Sequence, residues 1–155
     1  MVTERQQNHE FLEKLALFYY FSFLDEGRAQ AATDQTLKKI NQERALYKDE
    51  QSDVELVRVT DQFLKKTKKK IKPVGLAFSS GTILLPEKSN WGPWFEFRKE
   101  ADVRDFHTIL YSRILGIKEE AIAEGLALPL GTVHYRMGRG LKTLGQILRH
   151  SEPNK

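Results

Sequence analysis

Apolar side chains cover most of the helical circumference from Phe11 to Leu24, where Phe11, Leu12, Leu15, Ala16, Phe18, Tyr19 and Phe23 recur without a clear polar face. A helix that is apolar nearly all round belongs in a core or an interface. Asp25-Glu26-Gly27 breaks it. A second helix is expected over 28–46, with Ala29, Ala32, Leu37, Ile40 and Leu46 as its apolar set. After the polar break Lys48 to Ser52, the positions Val54, Leu56, Val57, Val59, Phe63 and Leu64 predict a third helix over 54–70. Its lysine-loaded end complements the helix dipole.

The pattern then changes. Residues 71–97 hold three of the five prolines and three of the ten glycines. Val74-Gly75-Leu76-Ala77-Phe78 and Thr82-Ile83-Leu84-Leu85 predict a short hairpin around Ser79-Ser80-Gly81. Trp91-Gly92-Pro93-Trp94-Phe95 reads as an aromatic turn, and the whole stretch as a linker packed on a neighbour. Helical periodicity returns near Glu100. Phe106, Ile109, Leu110 and Ile114 face inward on a helix over 105–115 that Gly116 ends. A short helix over 118–125 follows, with Ala121 and Ile122 inside. The turn Leu126-Ala127-Leu128-Pro129 leads into a last helix over 130–149. On that helix Val133, Met137, Leu141, Leu144 and Leu148 form the expected buried stripe. The fold expected is all-α: two small helical domains, 1–70 and 100–150, joined by a linker over 71–99, with a C-terminal helix-turn-helix.

Composition narrows the chemistry. The 155 residues contain no cysteine, which removes disulfides, thiolate nucleophiles and cysteine-based zinc sites, and suits a reducing cytosol. His9, His107, His134 and His150 share no ligand spacing, and no glycine-rich phosphate loop is present. Glu119-Glu120 is better explained by the helix dipole than by acid–base chemistry. No enzyme, metal or cofactor is therefore expected, and each histidine is read as surface or satisfied core. Leu15 to Leu24 is too short to span a bilayer. The residues before it include Glu4, Glu10 and Glu13, so a secretory leader is not expected either.

The net charge is only +4, so its distribution says more than its size. The first sixty residues lean acidic. Lys65, Lys66, Lys68, Lys69, Lys70 and Lys72 form one basic run, readable as a second DNA-binding patch at Lys65, Lys66, Lys68 and Lys69 or as a plain solvated helix end. From Leu126 to Arg149 the chain carries Arg136, Arg139, Lys142 and Arg149 and no acid. A short helix, a proline-containing turn and a second helix that begins with small residues and becomes basic describe a helix-turn-helix DNA reader. Thr132, His134, Tyr135, Arg136, Arg139 and Lys142 are its expected DNA contacts. Gly131 is expected to let the helix start approach another backbone. The competing reading is a solvated basic face on an ordinary bundle. The order of acidic-alanine helix, turn, Gly-Thr-Val and spaced arginines favours DNA.

The run from Glu119 to Leu126 followed by Leu128 to Leu141 resembles region 4 of bacterial sigma factors, above all the small extracytoplasmic-function group. The resemblance spans 103–148 and rests on Pro129-x-Gly131-Thr132-Val133 followed by Arg136 and Arg139. It implies readout of a minus-35 promoter element in the major groove. Gly138 departs from the bulkier residue common there. More faintly, Phe11 to Leu24, Asp25 to Ala29 and Asp34 to Lys38 resemble the first two helices of region 2. That implies a grip on RNA polymerase core through Asp34, Gln35, Leu37 and Lys38. By the same resemblance the helix over 54–70 is the third helix, which melts and reads the downstream minus-10 element, although it lacks the family's tryptophan and Arg-Asn pair. The partners implied are promoter DNA and polymerase core, with an anti-sigma protein as a further partner the family allows. The alternative is a free-standing helix-turn-helix regulator acting as a dimer.

Overall fold

The structure is a computed structural model that describes residues 4–44, 53–67 and 92–151. These residues are helical almost throughout, with no strand among them: α1 (Glu4–Phe23), α2 (Glu26–Arg44), α3 (Asp53–Thr67), α4 (Gly92–Glu100), α5 (Val103–Ile109), a π-helical turn (Leu110–Ile114), α6 (Glu119–Leu126) and α7 (Leu130–Ser151). The hairpin expected over 74–85, and Leu46, Lys68 and Lys69, lie outside the described residues. None of the helices described is long and apolar enough to cross a membrane.

The apolar character of α1 places it at the centre. Leu15, Phe18 and Tyr19 are fully buried, and Phe11, Phe21 and Phe23 nearly so. Leu24 takes a left-handed conformation (φ 53°), and the Asp25 carboxylate accepts from the Arg28 amide, an N-cap that starts α2 at once. The helices α1 and α2 pack along one another. The pair Tyr19 Oη and Thr36 Oγ1, 2.6 Å apart, satisfies two buried hydroxyls between them. On α3, Leu56, Val57 and Thr60 are buried, and Thr60 Oγ1 meets Tyr111 Oη at 2.7 Å.

The largest departure from expectation concerns α4. Residues 92–100 form a helix, not the end of a linker, because Pro93 falls in a first helical turn where its missing N–H costs little. This puts Trp94 and Phe97 into the core. Trp94 meets Phe21 at 5.7 Å and Phe106 at 5.2 Å between ring centroids. Buried residues of the front helices and of α4 to α7 belong to one cluster. The described helices therefore share one core.

Two glycines make that packing possible. A Cβ at Gly125 on α6 would meet the Val57 Cβ at 2.6 Å and the Val54 carbonyl oxygen at 2.8 Å, so α3 and α6 are in backbone-level contact. A Cβ at Gly140 on α7 would meet Ile109 Cγ1 at 2.8 Å. Gly131, expected to be a point of close approach, has open space instead. Gly125→Ala is expected to destabilise the protein: overpacking costs about 1–3 kcal/mol, against about 1 kcal/mol of helix propensity gained. Gly138→Ala, in open space on α7, is expected to stabilise by about 0.4–1 kcal/mol. Urea denaturation of the two variants checks the opposite signs.

Candidate nucleic-acid interface

The α6–α7 connection is built by local chemistry. Ala127 ends α6 in the left-handed region (φ 55°), and the Leu128 amide donates back to the Ala123 carbonyl at 2.9 Å, closing the helix end. Pro129 precedes α7 and its carbonyl accepts from the Thr132 and Val133 amides at 3.0 and 3.3 Å. The connection is thus the three residues Ala127, Leu128 and Pro129, since Leu126 still belongs to α6.

The buried stripe of α7 differs from the expected one. Val133, Met137, Gly140 and Ile147 are buried and Leu144 is half-buried, whereas Leu141 and Leu148 are 37% and 46% exposed. A glycine in backbone contact with α5 replaces a leucine as the inward residue, which turns the helix by part of a turn. The side opposite carries Tyr135, Lys142, Gln146 and Arg149, all exposed, with Gly138 open between them. Tyr135 stands out at 64% exposure. No aspartate or glutamate occurs anywhere along α7.

Of the six expected DNA contacts, two are presented to solvent, two are half-buried and two are held by acids. Tyr135 and Lys142 are exposed, and Thr132 and Arg136 are half-buried. His134 Nε2 lies 2.5 Å from Glu119 Oε2, tying the first turn of α7 to the first turn of α6. Arg139 donates from Nε and Nη2 to both carboxylate oxygens of Asp105, at 2.5 and 2.9 Å. Asp105 is 2% exposed, and a buried carboxylate needs such a partner. The hydrogen bond to Asp105 raises the Arg139 pKa above the ordinary arginine value. Arg139 also lies over the Tyr135 ring, 5.2 Å from its centroid. Its first task is to join α7 to α5. The signal for this was an acid beside Phe106 on an otherwise inward face. A second pair lies nearby at the start of α5. The Asp102 carboxylate accepts from the Arg104 side chain and amide, which holds its pKa down at about 2.

The remaining expected residues lie elsewhere. Lys65 and Lys66 are exposed on the last turns of α3, with Lys65 Nζ 2.9 Å from Asp61. Asp34, Gln35 and Lys38 project from α2 into solvent, while Leu37 is half-buried against the core. Among the described residues no group of three or more His, Asp or Glu side chains is placed to hold a metal ion. No protein-family model matches the chain, and neither a curated protein nor a solved structure matches it.

Proposed function

We propose that this protein is a sigma factor or sigma-like initiation protein, which binds RNA polymerase core in the cytoplasm and directs it to promoter DNA. The observation that carries this reading is α7: a 22-residue helix without an acid, set behind a tight turn, with its core-facing stripe opposite a tyrosine–lysine–arginine strip. In this reading α6 and α7 form the helix-turn-helix, and α7 lies in the major groove. Tyr135 and Lys142 reach outward, with Arg149 toward the phosphates. Arg139 braces the reader against Asp105. Asp34, Gln35 and Lys38 offer an exposed polar strip on α2 for the polymerase.

The direct test is a pull-down with core RNA polymerase at low salt, followed by transcription from duplex and premelted promoters. Failure to bind core would end this reading. DNA captured by the holoenzyme then serves as the probe. Lys142→Gln is expected to lower the slope of log affinity against log salt by about one. Tyr135→Ala is expected to relax sequence preference. Both side chains are exposed, so neither variant should disturb the fold; unchanged binding by both would remove α7 from the DNA. Arg139→Ala is unsuitable here, because it strands the buried Asp105 carboxylate.

One observation favours a second reading. The exposed Leu130, Leu141 and Leu148 share a flank of α7, a surface that a free-standing dimeric regulator would bury. Light scattering separates the two readings, since a monomer counts against the dimer.

A further inference from the structure

A cavity of about 370 Å³ opens where α1, α3, α4 and α5 meet, and none of its lining residues lies on α6 or α7. Its apolar wall is Phe23, Leu64 and Phe106. Its polar wall is unusual in what it leaves unanswered. Ser22 is 4% exposed, and its buried hydroxyl has no hydrogen-bond partner among the described residues. That hydroxyl is shut off from the cavity itself, so a ligand there would meet Ser22 through other atoms. Arg98 donates from Nε to the Ser22 carbonyl at 2.5 Å. That fixes its guanidinium in the wall, yet the guanidinium makes no ion pair with any described carboxylate.

The other charges around the cavity are matched. Asp61 is held by Lys65, and Arg104 by Asp102. Burial pulls the Arg98 pKa below its ordinary value, the mark of a charge short of both water and counter-ion. One unmatched cation calls for one negative charge. A carboxylate supplies it, whereas a phosphate monoester brings nearly two. The planar guanidinium suits the two oxygens of a carboxylate.

We propose that this cavity binds a small monocarboxylic acid, its carboxylate held by Arg98 and its apolar body against Phe23, Leu64 and Phe106. The volume falls at the lower end of the range for small-molecule sites, which fits a compact acid with one ring or a short chain. The proposal stands independently of what α7 contacts.

The test is calorimetric titration of the full chain with 3-phenylpropionate, its neutral amide and phenyl phosphate. The acid is expected to bind and to raise the melting temperature, with the amide weaker by about tenfold or more. Arg98→Gln is expected to weaken the acid by about tenfold while leaving the amide unchanged. Val103 is 54% exposed at the rim, so Val103→Trp obstructs the cavity without disturbing the core and is expected to abolish binding. Equal binding of acid and amide, tighter binding of phenyl phosphate, or undiminished binding in Val103→Trp would each overturn the proposal. So would no binding of any probe up to about 10 mM.

Discussion

Phe18→Ala is expected to lower the free energy of unfolding by about 3–5 kcal/mol. Phe18 is completely buried on α1 and stacks on Tyr111 of the π-helical turn, with centroids 4.9 Å apart and planes within 8°. It also meets Tyr19 edge-on and His107 at a tilt, each at 5.5 Å between centroids. Truncation removes the ring and leaves a space walled by other rings, which cannot collapse into it. The loss extends further, because Tyr111 holds Thr60 of α3 through its hydroxyl. Aromatic contact of this kind adds about 0.5–1.5 kcal/mol beyond area burial, so the expected value lies toward the upper end. Denaturant unfolding with unchanged slope measures it. A loss under about 1 kcal/mol would mean that α1 does not lie on the π-helical turn in solution.

The second large effect is a loss of stability on mild acidification. His107 on α5 lies between Phe18 and Phe106, and burial together with the Arg98 charge pushes its pKa down to about 4. The unfolded chain takes the ordinary histidine value of about 6.5. Between these values the unfolded state binds the proton and the folded state does not. Stability is therefore full above pH 6.5 and falls as pH drops through the window toward 4. The residue as a whole is half-buried, so the drop is on the order of 2–3 kcal/mol. Melting temperatures across that window should fall for the natural chain, with a smaller fall in His107→Phe. Parallel pH profiles for the two would assign the effect to other groups.

Much of the helical plan was written in periodicity. The bounds expected for the last two helices agree with α6 and α7 to within two residues, because caps, a proline and a regular apolar rhythm coincide there. What was illegible depends on contacts distant in sequence. The tryptophan-rich stretch looked like a turn since Gly92-Pro93 is a turn signal as well as a helix start; only Phe21 and Phe106 decide between them. Gly140 carries no hydrophobic signal, yet its lack of a side chain lets α7 meet Ile109, and this selects Ile147 over Leu148 for the core. Asp105 and Arg139 are 34 residues apart, so nothing local marks the arginine as a brace. Of the expected DNA face, Tyr135 and Lys142 followed from helical spacing alone. The cavity beside Arg98 joins four helices and left no trace in any single segment.

The contact at Gly125 sets a mechanical constraint between the two halves of the chain. With no room for even a methyl group between α3 and α6, the spacing of a front helix and a helix of the α6–α7 pair is fixed at its minimum, so the two move as one body or part altogether.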